Sequence, residues 1–158
     1  MNIMAIDPGK VRGGAAAFHA WGESIFDLPY DENGRPDIEW LQERIIHYKI
    51  DVMVIEEQQV RGGQAGQAGI AIGYGMMIAT AILCGVEVVE LHPKTWQGVL
   101  GLSGDKQEHV DYAEAAGFDI PWTSYKKNGE PMARAKKHDG MGDAVCIGLA
   151  YREMTRDD

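Results

Sequence analysis

Cysteine is scarce in this chain of 158 residues. Cys84 and Cys146 stand far apart, each in apolar surroundings, and no Cys-x-x-Cys pair occurs. That excludes a disulfide scaffold and a zinc knuckle, and it predicts two reduced core thiols in a reducing compartment. Positive charge is also in short supply. Fifteen Lys and Arg against 24 Asp and Glu leave a net charge of −9, which excludes a polycation that coats nucleic acid indiscriminately. A nucleic-acid enzyme stays open if its cations are clustered and its carboxylates hold metal ions. Met1–Met4 carries no basic leader, so a secretory signal is not expected. Charge is missing from Gly62 to Val86, yet that run contains Gln64, Gln67 and many glycines. Its apolar part, Ile70 to Leu83, is too short for a bilayer, and a buried helix is expected rather than a membrane span.

What is present is ordinary globular composition, 45% apolar and 25% charged, in a length that suits one domain. Asn2 to Ile6 is a short apolar run that stops at Asp7-Pro8-Gly9 and predicts a strand ending in a turn. Gly13–His19 and Trp21–Leu28 predict two further strands in an antiparallel meander. Ile38, Leu41, Ile45 and Tyr48 recur at helical spacing behind Asp37, a natural N-cap. Val52–Ile55 predicts a buried strand that ends in Glu56-Glu57. A glycine-rich stretch from Arg61 leads to an apolar helix ending near Leu83. Val86–Leu91 predicts a strand, and Pro93–Leu100 and Lys106–Ala116 predict helices. Pro121–Arg134 shows no period and predicts a mobile loop. His138–Met154 predicts a final helix with Ala144, Ile147, Gly148 and Tyr151 on one face. The order argues a single α/β domain with a mixed five-stranded sheet flanked by helices.

Four carboxylates sit where chemistry is usually placed. Asp7 and Glu56 end strands, and ligands of α/β sheets bind at strand ends. Asp139 and Asp143 are four apart on one helix and so share a face. If the two strands are neighbours and the helix crosses them, all four converge. Like charges that close repel, so the cluster needs cations. Oxygen donors without cysteine suit Mg²⁺ or Mn²⁺ rather than zinc. Two such ions would clamp an in-line phosphodiester hydrolysis. Taken singly, each residue has a plainer role open to it. Asp7 could initiate a turn, Glu56 could close a solvated strand end, and Asp139 with Asp143 could complement a helix dipole.

In order and spacing, several segments together resemble the RuvC-like Holliday junction resolvases, especially their phage-type branch. They are Met4-Ala5-Ile6-Asp7-Pro8-Gly9, Val54-Ile55-Glu56-Glu57 with Gly62–Gly66, Pro93-Lys94-Thr95-Trp96-Gln97, Leu100-Gly101-Leu102 before Asp105-Lys106, and Lys137-His138-Asp139-Gly140-Met141-Gly142-Asp143-Ala144. The resemblance implies a ribonuclease H-like fold, a homodimer, and Mg²⁺-dependent nicking of four-way DNA junctions. It places the metal ligands on Asp7, Glu56 and Asp143, with Asp139 or His138 as the fourth. Helical spacing favours Asp139, with His138 as alternative ligand or proton donor. Lys106 matches a lysine near the scissile phosphate. Gln59 stands where several cellular members carry an aromatic wedge, so the way the junction centre is opened does not carry over. Glu57 is a competitor of Glu56 for metal.

DNA requires cations against its phosphates. Lys126, Lys127, Arg134, Lys136 and Lys137, opposed only by Glu130, form a basic stretch beside Trp122 and Tyr125 that leads into the last helix. Arg61, backed by glycines, is a further phosphate contact. Trp96 is expected in the core. Paired nicks need two sites related by a two-fold, and the helix over 66–83 is the expected interface, through Gly66, Gly69 and Gly73 with Ile70, Tyr74, Met77 and Ile78. A catalytically silent junction binder and an actin-like ATPase, which also opens with a strand and an Asp-x-Gly turn, are the competing readings.

Overall fold

The structure, a computed structural model, describes residues 1–9, 12–58, 66–133 and 135–156. Strands β1 (Ile3–Asp7), β2 (Gly14–His19) and β3 (Gly22–Asp27) form the antiparallel meander, and helix α1 (Ile38–His47) follows. Asp37 caps α1 by accepting the Trp40 amide at 3.0 Å. Next come β4 (Val52–Glu56), α2 (Gln67–Leu83) and β5 (Glu87–Leu91), then α3 (Pro93–Leu100), α4 (Lys106–Ala115) and α5 (Asp139–Met154). The sheet order is β3-β2-β1-β4-β5, with β1–β4 and β4–β5 parallel and the other pairs antiparallel.

Period-two alternation explains the layers. Ile3 and Ala5 of β1, with Val52 and Val54 of β4, face a core shared with Trp96, Val110, Ala144 and Ile147 of α3, α4 and α5. Met4, Ile6, Met53 and Ile55 face the opposite core with Leu41, Ile45, Met77 and Ala81 of α1 and α2. Asp7 and Glu56 continue the first set, so their side chains end on the α5 face. Glu57 falls on the other face. It is exposed, and it is one of the charges that, after burial and Glu90, raise the Tyr74 hydroxyl on α2.

Three expectations change. Helix α5 is buried all round from Gly140 to Gly148, rather than on one face. Its N-terminal turn lies directly on the backbone that opens β2, where a Cβ on Gly14 would overlap the Gly140 carbonyl. The stretch after Pro121 is a folded excursion, not a loop without structure. Trp122 bridges Lys137, Tyr125 bridges Pro131, and the chain reverses through Gly129 at φ +85°. On α2, Met77 is buried and Gly73 meets Pro36, so the expected stripe turns inward there, while Gly66 and Gly69 stay exposed. The outward stripe is instead Ala68, Ile72, Gly75, Ala79 and Ile82. Among the described residues no helix is long and apolar enough to cross a membrane. Both cysteines are free. Burial, with Asp143 beside it, pushes the Cys146 thiol up to about 12, which leaves it inert.

Candidate active site

The parallel register of β1 and β4 pairs Ile6 with Ile55, so the next step sets Asp7 beside Glu56 on adjacent strands, about 4.8 Å apart in backbone. Asp7 is 6% exposed and accepts the Gly9 amide at 3.2 Å. Tyr30 donates its hydroxyl to the Pro8 carbonyl and pins the turn behind it. From the helical layer, α5 brings Asp143, which is fully buried. Burial pushes Asp7 up to about 8, and the charges of Asp143 and Glu56 add to the rise. Glu56 is raised as well, first by burial and then by Asp143, against the hydrogen bond it receives from Trp96. Three of the four expected carboxylates therefore converge.

The groups that steady them come from α3 and α4. Trp96 Nε1 donates to Glu56 Oε2 at 2.9 Å. Lys106 Nζ pairs with Asp143 Oδ2, and His109 Nδ1 lies 2.6 Å from Asp143 Oδ1. Burial pulls the Lys106 ammonium down, but Asp143, Asp7 and Glu56 outweigh it and leave it above its ordinary value. Burial likewise opposes charge on His109, while Asp143 and the Ser103 carbonyl prevail and raise it. His109 was not foreseen. The legible signal is its i,i+3 spacing from Lys106, which sets both on one face of α4.

The remaining expected residues lie elsewhere. Asp139 is exposed at the first turn of α5, accepts its neighbour Gly140's amide, and lines a groove with Lys106, Gln107, Thr123, Lys136 and Lys137. His138 caps α5 by accepting the Met141 amide on Nδ1 at 3.2 Å, which leaves Nε2 to donate to Asp27 at 3.1 Å. Both ring nitrogens are used away from the acids. Lys137 is occupied internally. It reaches Glu114 at 2.8 Å and the Ile120 carbonyl at 2.7 Å, and it lies over the Trp122 ring. Lys126 is exposed and within 3.2 Å of Glu130, while Lys127 and Lys136 are exposed. Arg61, Arg134 and Gln59 lie outside the described residues.

Among the described residues no three His, Cys, Asp or Glu side chains are placed so as to cage an ion. The donor chemistry nonetheless fits a hard divalent cation. Asp143 and Glu56 raise Asp7, Asp143 raises Glu56, and the Lys106 ammonium is their counter-charge.

No protein-family model and no curated protein sequence matches the chain. Solved structures do match. A Thermus thermophilus RuvC in complex with Holliday junction substrate superposes with a TM-score of 0.68 at 14% identity, covering 99% of this chain and 96% of that one. A second Thermus thermophilus RuvC structure gives 0.59 at 17% identity with the same coverage. The fowlpox virus Holliday junction resolvase gives 0.53 at 14% identity, over 98% of this chain and 99% of that one. The chain therefore has the ribonuclease H-like fold of the RuvC-type resolvases, along its whole length.

Proposed function

We propose that this chain is a divalent-metal-dependent endonuclease of branched DNA that resolves four-way junctions by paired symmetric nicks. The observation that carries the reading is the convergence of Asp7, Glu56 and Asp143 at the carboxyl edge of the sheet, buried enough to raise Asp7 to about 8. A fold does not keep such a cluster for stability, since each charge disfavours the others. Asp7, Glu56 and Asp143 would hold Mg²⁺, with Mn²⁺ as a substitute and Asp139 as the fourth donor from the rim. Such a pair of ions supplies acidity to a water and neutralises charge on the phosphate oxygens.

The chain's own residues supply the rest. Lys106 stands at the mouth of the site with a half-exposed side chain, placed to meet the phosphate charge that grows during displacement. Lys136 lines the groove beside Lys106, and the exposed Lys126 and Lys127 belong to the same basic stretch, which suits a phosphate backbone. The outward apolar stripe of α2 suits a second copy of the chain, and a two-fold dimer would present two sites to the two continuous strands of a junction. The structural likeness to proteins solved with Holliday junction DNA supports the substrate class.

The test is a nicking assay on a synthetic four-way junction beside a linear duplex of the same sequence, with Mg²⁺, with EDTA, and with Asp143→Asn. Paired, Mg²⁺-dependent nicks confined to the junction and lost in the variant are expected. Tight junction binding without nicks would replace the reading with a silent junction binder. Neither binding nor nicking would remove the nucleic-acid reading altogether.

A further inference from the structure

Trp96 and His109 are each 1% exposed, and their rings meet edge to face at 4.9 Å and 68°. Packing alone would be met by any aromatic of that size. What packing does not require is where the two polar atoms go. The Trp96 N–H reaches a Glu56 oxygen from α3, and His109 Nδ1 reaches an Asp143 oxygen from α4. The opposite ring nitrogen of His109 is fixed at 2.7 Å from the Ser103 carbonyl, in the turn just before α4. Neither ring can rotate without giving up a carboxylate and disturbing the other ring.

We infer that Trp96 and His109 form one buried positioning unit that sets the spacing of Glu56 and Asp143, and through it the affinity of the centre for divalent cations. The inference rests on the nuclease reading above. Partners that orient metal-ligating side chains in this way typically change metal affinity by about 10–100-fold when removed. Because the two rings touch, their effects should couple: losing one lets its carboxylate relax, and the second loss then adds less than it does alone.

The experiment is Mn²⁺ binding to the full chain by calorimetry, with the thermal midpoint in EDTA and Mg²⁺-dependent nicking measured alongside. Trp96→Phe keeps an aromatic ring at the contact but removes the N–H donor and the volume of the fused ring. His109→Leu removes both nitrogens, and His109→Asn keeps an N–H near the Nδ1 position. Trp96→Phe and His109→Leu are each expected to weaken Mn²⁺ binding about 10–100-fold. His109→Asn should recover most of that loss, and the double variant should lose less than the product of the singles. Nicking by the folded Trp96→Phe should return at saturating Mg²⁺, although its midpoint in EDTA falls with the lost core volume. If His109→Leu fails to fold, Trp96→Phe carries the test by itself. Folded Trp96→Phe that binds Mn²⁺ within twofold of a nicking wild type would overturn the inference and leave the nuclease reading standing. Wild type that neither binds Mn²⁺ nor nicks would overturn both.

Discussion

Helices α2 and α5 lie on opposite faces of one sheet, are nearly equal in length, and are both apolar around most of their circumference. Their fates differ. Along α5 every residue from Gly140 to Gly148 is buried, because the sheet lies beneath it and α3 and α4 flank it. Along α2 only Gly73, Met77, Thr80 and Ala81 are buried, since among the described residues α1 and the segment at Pro36 flank it, and Ile72, Ile82 and Leu83 stand open to solvent. A helix apolar on all sides is stable only where something covers each side. On α5 the cover is the chain itself, and the rigid, dry setting that results is where Asp143 is held. On α2 the chain covers only the inward side, and the outward stripe is left open to solvent. Glycine shows the same contrast. A Cβ on Gly142 would sit 3.1 Å from Val110 Cγ2, and one on Gly148 would run into the Phe18 ring, whereas one on Gly69 or Gly75 would meet nothing. The same residue type permits close approach in one helix and is spare in the other.

The largest expected effect breaks the site on the covered face. Asp7→Asn should lower nicking by about 10³-fold or more, the scale of losing a group aimed at developing charge. In EDTA it should at the same time raise folding stability by about 1–2 kcal/mol, within the range seen when a costly active-site group is relieved. The sign follows from the shift. Burial and the neighbouring acids lift Asp7 to about 8 in the native chain, far above its unfolded value. The group therefore costs nothing below about pH 4, and its cost accumulates as the pH rises from about 4 to 8. Urea unfolding in EDTA at pH 5 and at pH 8.5 should show the variant's advantage growing across that window. Equal advantages at both pH values would show that Asp7 is not the strained group.

Much of this was readable beforehand, for a definite reason. Asp7 and Glu56 end strands whose alternation is clean, and parity alone sends both to one face. The pair Asp139 and Asp143 was harder. The i,i+4 rule gives direction around a helix but not depth along it. Four residues advance about 6 Å, which is enough to leave Asp139 at the rim while Asp143 lies in the core. His109 was hidden because its partner is 34 residues away in sequence. Trp96 was correctly expected in the core, yet nothing local shows that its N–H points at an acid 40 residues earlier. Glycine spacing on α2 did not show that Pro36, from the segment before α1, sits on Gly73, while Gly66 and Gly69 stay exposed. The excursion after Pro121 holds its shape through single bridges too short to leave a period.

A smaller effect sharpens the comparison of glycines. Gly14→Ala would drive a methyl group into the backbone at the N-terminal turn of α5, and a loss of about 2–3 kcal/mol is expected. Gly75→Ala lies mid-helix on the open side of α2, where alanine improves helix propensity without a clash. A gain of about 0.5–1 kcal/mol is expected for the isolated chain. Chemical denaturation at low protein concentration compares the two directly. A loss in Gly75→Ala as large as that in Gly14→Ala would mean that α2 is covered in solution at that concentration, and the contrast between the helices would fall.

The smallest effect separates two adjacent lysines just before α5. Lys136 is exposed on the groove beside Lys106 and Asp139. Lys137 keeps only 18% of its side chain in solvent and is committed to Glu114, the Ile120 carbonyl and the Trp122 ring. A cation already neutralised inside the fold releases no counterion when DNA arrives. Lys136→Ala should therefore weaken junction binding a few-fold and reduce the salt slope of log K by about 1, with stability unchanged within about 0.5 kcal/mol. Lys137→Ala should instead cost about 1 kcal/mol of stability, the scale of one ion pair with a cation–π contact, and leave the salt slope alone. Anisotropy titrations of a labelled junction at several salt concentrations, paired with urea unfolding, read both quantities. The reverse pattern would place Lys137 on the phosphate path and require its contacts to Glu114 and Ile120 to open when DNA binds, which would make the α5 face less closed than its burial implies.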